Sequence, residues 1–114
     1  MIFKESYLKS EKVKIEGTGD ECTLYEISSL ERVKVLGMMT DEEGEDRFER
    51  GLERELYLVS CSLKPGIDGF DFDKTKRELE RLPERILSKL TLIAMKLSGF
   101  FMDEEDGKNQ KVGK

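Results

Sequence analysis

The sequence predicts an α+β fold, mainly α, in which an N-terminal β-hairpin precedes a bundle of three to four helices. Two observations support this class. Before residue 28, short stretches alternate apolar and polar residues around a glycine-containing turn, and later segments repeat apolar residues at helical spacing. At 114 residues the chain suits one domain, expected at 1–102 with its helical part at 28–102, followed by a flexible charged tail at 103–114.

The hairpin is expected within residues 1–27. Val13 and Ile15 alternate with charged residues in one strand, and the stretch 22–27 contains the second. The intervening segment 17–20, Gly-Thr-Gly-Asp, suits a tight turn because glycine tolerates positive φ. A third strand around 3–8 would extend the sheet. The sheet must pack on the helices, since an isolated hairpin is marginally stable in water.

A first helix is predicted after Ser28 or Ser29, either of which can cap its N-terminus. Its inner face is expected to consist of apolar residues at helical spacing, namely Leu30, Val33 and either Leu36 or Gly37. The acidic run at 40–46 that follows is predicted to be a solvated loop, because its acids lack the spacing of an EF-hand calcium site.

A second helix is predicted over residues 45–63. Its core stripe follows helical spacing and contains Phe48, Leu52, Leu56, Val59 and Leu63. Three further residues lie off this stripe: Tyr57, Leu58 and Cys61. The helix is therefore apolar on more than one side near its C-terminal end.

A short third helix, capped by Asp71 or Asp73, is expected to precede a last helix over residues 82–101 that Pro83 begins and a glycine closes. The core stripe of this last helix is predicted at Ile86, Leu90, Ile93 and Leu97, widened by Leu87, Ala94, Phe100 and Phe101. Leu92 and Met95 fall on the opposite side. They either contact another helix of the bundle or face a partner subunit or client.

Composition argues against several classes of function. The chain has no histidine, so the commonest general base and the usual Ser-His and Cys-His nucleophile pairs are absent. Cys22 and Cys61 lack metal-ligand spacing and are expected as free thiols in a reducing compartment. We therefore predict no catalytic, cofactor or metal site. A net charge of −5 disfavours a nucleic-acid partner. The sequence also lacks an apolar run long enough to span a membrane, so we expect no membrane partner. Lys4 and Glu5 interrupt any secretory signal, so we expect a cytoplasmic protein.

Two phrases of this sequence resemble the tail assembly chaperones of long-tailed, lambda-like bacteriophages. They are EDRFERGLERELYLVSCSL at 45–63 and ELERLPERILSKLTLIAMKLSGF at 78–100, preceded by a β-rich start and an acidic linker. The resemblance implies a non-enzymatic protein of the host cytoplasm that keeps the tape measure protein soluble and is absent from the finished virion. It also implies self-association, and contact with the tail tube protein through a longer, frameshifted product.

The partner-binding residues are predicted among the apolar positions that the core stripes leave over and at the end of the last helix: Tyr57, Leu58, Cys61, Leu92, Met95, Phe100 and Phe101. The alternative is that the chain is a structural tail-completion or connector protein that stays in the virion. A nucleotide-binding protein or small enzyme is disfavoured, because Gly17-Thr18-Gly19-Asp20 is neither a P-loop nor a dinucleotide fingerprint.

Overall fold

A computed structural model describes residues 8–39 and 47–100. It confirms the predicted α+β, mainly α class, with an antiparallel hairpin followed by helices. The elements in chain order are β1 (Ser10–Lys14), β2 (Glu21–Tyr25), α1 (Ser29–Met39), α2 (Arg47–Leu63), a 3₁₀ turn (Lys64–Gly66), α3 (Phe72–Glu80) and α4 (Glu84–Leu97). The predicted tail at 103–114, the acidic loop at 40–46 and most of the third strand predicted at 3–8 lie outside the described residues.

The β-hairpin forms where the alternating pattern predicts it. Its two strands pair antiparallel with Val13 opposite Cys22. In the connecting turn Gly17 has a φ of 82° and Gly19 one of 79°, a left-handed conformation that disfavours other residues. The side chains of Val13 in β1 and Leu24 in β2 are buried on the same face of the sheet. One face of the hairpin therefore packs on the helices, as its marginal stability in isolation requires.

Two apolar clusters lie on either side of the central pair α2 and α4. The first joins the hairpin and α3 to this pair and contains Val13, Leu24, Leu56, Val59, Leu63, Leu79, Ile86, Leu87 and Leu90. The second joins α1 to the same pair and contains Ile27, Val35, Leu58, Cys61 and Ala94. Every residue from Leu58 to Leu63 is buried, because the C-terminal half of α2 is covered from both sides.

Serine hydroxyls connect the end of the hairpin to the helices. Ser62 Oγ on α2 accepts a hydrogen bond from the Tyr25 N–H at 3.1 Å and donates one to the Tyr25 carbonyl at 2.6 Å. Ser98 Oγ accepts from the Ile27 N–H at 3.1 Å. These bonds satisfy backbone groups that the two-stranded sheet leaves unpaired, which would otherwise be costly to bury.

The helices begin and end at the capping residues, proline and glycine that the sequence indicates, but the last helix is shorter than predicted. Ser28, rather than Ser29, caps α1, and Asp71, rather than Asp73, accepts from the Lys74 N–H to cap α3. The last helix covers Glu84–Leu97 and is shorter than the predicted 82–101. Pro83 is its N-cap, and Gly99 at a φ of 74° reverses the chain at its C-terminus.

Candidate protein-binding surface

The outer side of α1 is an exposed apolar surface, which we call the α1 apolar face. It consists of Leu30, Val33 and Leu36, with 68%, 63% and 37% of their surface exposed, respectively. Val35, by contrast, is fully buried. The sequence prediction was therefore wrong about this helix, because the residues expected to face the core face outward.

Two polar side chains explain this orientation of α1. Glu31 forms a capping box with Ser28, in which the Ser28 N–H donates to Glu31 Oε1 at 2.9 Å and the Glu31 N–H donates to Ser28 Oγ at 3.1 Å. The second Glu31 oxygen accepts from Lys64 Nζ. Burial disfavours the charged carboxylate, but the bonds from Lys64 and Ser28 outweigh burial and lower the pKa of Glu31. The Glu31 carboxylate therefore holds one side of α1 against the end of α2.

Arg32 holds the adjacent side of α1 against the end of α4. Its Nε and Nη2 atoms donate to the carbonyls of Ser98 and Gly99, each at 3.2 Å. Its guanidinium also lies 5.1 Å from the centre of the Phe100 ring, a cation–π contact. With Glu31, Arg32 and Val35 directed inward, the helical period places Leu30 and Val33 outward.

A second exposed apolar surface, the Phe48–Leu52 patch, lies at the start of α2. Phe48 is 74% exposed and Leu52 39%, although both continue the stripe predicted for the core. The Arg47 guanidinium covers one side of the Phe48 ring at 4.8 Å. Beside the patch is an open groove of about 510 Å³ that Glu84, at the start of α4, also lines. The predicted stripe is correct in register but is covered only further along α2.

A groove of about 530 Å³ separates α1 from the first turns of α2. Its lining residues are Lys34, Gly37, Met38, Arg50, Glu53 and Tyr57. Its accessible lining surface is mainly apolar although Lys34, Arg50 and Glu53 contribute to it, and the half-buried Met38 provides a flexible side chain that can adapt to different shapes. The groove borders the same helix as the α1 apolar face. The two features together make α1 the most accessible apolar element in the described part of the chain.

Two of the predicted partner-binding residues lie in the core. Leu58 and Cys61 are buried in the second cluster, so the prediction that they are available to a partner is corrected. The reason is that α1 covers this side of α2. Burial, followed by the nearby Glu31 charge, raises the pKa of Cys61 to about 12. Tyr57 is half-buried, its ring lies 5.7 Å from that of Phe72, and burial raises its pKa to about 12.

The predicted residues of the last helix divide into two groups. Met95 and Phe100 are half-buried and pack against the second cluster. They also close α4, where the Phe100 N–H donates to the Met95 carbonyl at 3.0 Å and the Gly99 N–H to the Lys96 carbonyl in a Schellman motif. Leu92 is 53% exposed on the solvent side of α4. Phe101 lies outside the described residues.

The described residues contain no cluster of three or more side chains suited to hold a metal ion. In the same part of the chain, no helix has both the length and the apolar character needed to cross a membrane. Comparison of the chain with protein-family models, curated proteins and solved structures found no match.

Proposed function

We propose that this chain is a phage tail assembly chaperone that binds the tape measure protein through the α1 apolar face and the adjoining α1–α2 groove. In this role it keeps the client soluble, promotes polymerisation of the tail tube around it and leaves before the virion is complete. The observation that carries the proposal is the exposure of Leu30 and Val33 on a well-anchored helix. The resemblance at 45–63 and 78–100 supports the choice of client.

An exposed apolar face is suited to hold a client that must later be released. Fully burying a leucine or valine side chain contributes about 1.5–3 kcal/mol, and Leu30 and Val33 already have part of their surface covered. The two residues together can therefore contribute roughly 2–3 kcal/mol to a complex. This is enough to shift a dissociation constant about 30- to 150-fold.

The anchoring of α1 increases the binding free energy that the α1 apolar face can contribute. Ser28, Glu31 and Arg32 fix the helix to α2 and α4 through side chains that do not belong to the α1 apolar face. A client segment therefore meets a preformed surface, and little conformational entropy is lost in the chaperone on binding. Met38 beside the groove supplies local adaptability.

Co-expression with a tape measure protein from the same genome tests the proposal. The wild-type chain is expected to keep the client in the soluble fraction and to copurify with it. The L30S/V33S variant should lose most of the client, since it removes the centre of the apolar face while its mutated side chains are already exposed. Ile67→Ser is the matched control, because Ile67 is also exposed, at 40%, but lies in the loop after α2.

Equal client recovery with wild type and L30S/V33S would contradict the assignment of this surface. Failure of the wild-type chain to solubilise the client would contradict the function itself. Mass spectrometry of purified virions separates a chaperone from a tail-completion or connector protein, since only a retained component is present in stoichiometric amount. Self-association, host cytoplasmic location and contact with the tail tube protein through a frameshifted product belong to the same proposal.

A further inference from the structure

The solvent side of α4 combines positive charge with one exposed leucine. Arg85, Lys89, Leu92 and Lys96 follow the spacing i, i+4, i+7 and i+11, so they form a single stripe about 16 Å long. All four residues are exposed. We call this stripe the basic face of α4. It lies opposite the buried side of the helix and is separate from the α1 apolar face.

The charges of this face are poorly neutralised within the described chain. Lys89 and Lys96 make no ion pair with any described residue. Arg85 pairs with Glu16 of the hairpin at 2.9 Å, but both side chains are 66% exposed, so the pair is weak and easily exchanged. Lys14 adds a further positive charge, since it lines the small cleft that Arg85 and Lys89 share with β1.

The positions of Arg85 and Lys89 are also unfavourable for the helix alone, whereas Lys96 lies in the last turn, where the helix dipole favours a cation. Arg85 and Lys89 are like charges four residues apart, which destabilises a helix by a few tenths of a kcal/mol. Arg85 also lies in the first turn, at the positive end of the helix dipole. The one acid of α4, Glu84, lines the groove beside Phe48 and Glu55. No carboxylate of α4 therefore lies on its basic face.

We propose that the basic face of α4 binds an acidic amphipathic helix of a partner protein. An apolar side chain of that helix packs on Leu92, and carboxylates one turn to either side pair with Lys89 and Lys96. Charge complementarity points to this occupant, and the stripe matches three turns of a helix in length. A nucleic acid would leave Leu92 unused, and a bilayer requires a wider apolar surface than one leucine. The inference does not depend on the proposed function.

The test uses the full chain and a synthetic, helix-stabilised peptide of 18 residues as probe. The peptide carries a central pair of leucines with glutamates at i−4 and i+4, and binding is followed by fluorescence anisotropy at low and moderate salt. We expect saturable binding that K89E/K96E weakens at least 30-fold and Leu92→Ser weakens about tenfold. R77E/R81E makes the same change in net charge on exposed arginines near the end of α3, and it should alter affinity less than twofold.

Three results would overturn the proposal. The first is equal binding by a peptide in which glutamine replaces every glutamate. The second is equal binding by a polyglutamate chain of the same length, which would make the face a general polyanion site. The third is a homo-oligomer of the protein that K89E/K96E disrupts, which would assign the face to a second copy. Circular dichroism of each variant shows whether it folds, and Ile67→Ser, at an exposed apolar residue outside both surfaces, should leave peptide binding unchanged.

Discussion

Two buried serines on α2 provide a sharp test of the hydrogen bonds that connect hairpin and helices. Ser60 and Ser62 lie two residues apart, and both are fully buried. Ser62 Oγ bonds both the N–H and the carbonyl of Tyr25. Ser60 Oγ, in contrast, has no hydrogen-bond partner among the described residues. The same substitution to alanine should therefore have opposite effects at the two positions.

The expected magnitudes follow from these contacts. Ser62→Ala leaves two backbone groups of Tyr25 without partners, each at a cost of about 1–3 kcal/mol. Alanine regains roughly 0.5 kcal/mol in helix propensity, so the net loss should be about 1.5–5.5 kcal/mol. Ser60→Ala removes a hydroxyl that has been desolvated without compensation and should stabilise the fold by about 0.5–2 kcal/mol.

Urea denaturation followed by circular dichroism measures both free energies of unfolding. In a thermal melt, the Ser62→Ala loss corresponds to a fall in Tm of roughly 6–25 °C for a domain of this size. Ser88→Ala controls for helix propensity, because Ser88 bonds only the neighbouring Glu84 side chain near the surface. If Ser60→Ala and Ser62→Ala change stability in the same direction by similar amounts, the described connection between β2 and α2 is wrong.

Three further predictions concern α1, the alkaline limit of stability and the end of α4. Arg32→Ala removes two bonds to the end of α4 and should cost about 1–3 kcal/mol by urea denaturation, whereas Lys34→Ala on the exposed side should stay within about 0.5 kcal/mol. The folded chain holds the Cys61 proton to a pKa of about 12, against an ordinary 9.0. The contribution of Cys61 to stability should therefore be full below pH 9 and fall by up to about 4 kcal/mol as the pH rises to 12, and Tyr57, whose pKa is raised from 10.0 to about 12, adds a loss in the same direction. A pH-independent free energy of unfolding in that range would contradict the burial of these two groups. Gly99→Ala places a side chain at a φ of 74° and should cost about 1 kcal/mol in the same assay, whereas no loss would contradict the Schellman ending of α4.

The parts of the fold that local chemistry determines could be predicted from the sequence. The two glycines of the hairpin turn and the break at Pro83 act through their own backbone, and the cap of α3, predicted at Asp71 or Asp73, acts through one side chain, so in each case a local residue carries the signal. The register of α2 was also predictable, because Leu56, Val59 and Leu63 repeat at helical spacing. These features can be predicted without knowing which residues pack against them.

The orientation of α1 could not be predicted in the same way. Apolar periodicity assigns Leu30 and Val33 to the core, but the inward side is taken by Glu31 and Arg32, whose partners Lys64 and Ser98 are distant in sequence. The spacing of Ser28 and Glu31 is the one local signal of this arrangement, since a capping box holds Glu31 back towards the helix start.

The exposure of Phe48 and the burial of Leu58 have a related cause. A stripe shows which residues share a side of a helix but not where the neighbouring helix begins or ends. Phe48 lies at the start of α2, beside an open groove, while α1 covers the opposite side of α2 at Leu58. The exposed apolar surface therefore lies on α1 rather than on the C-terminal half of α2, and among the described residues Leu92 is the one predicted partner-binding residue that is clearly exposed.

Thiol labelling of α1 in the presence and absence of client tests the central claim most directly. In a Cys22→Ser background, which removes the one half-buried free thiol among the described residues, Leu30→Cys should react quickly with a maleimide in the free protein and become protected in the complex with tape measure protein. Val35→Cys, on the buried side of the same helix, should react slowly in both states. Slow labelling of Leu30→Cys in the free protein would contradict the orientation of α1, and equally fast labelling with and without bound client would contradict its role in client binding.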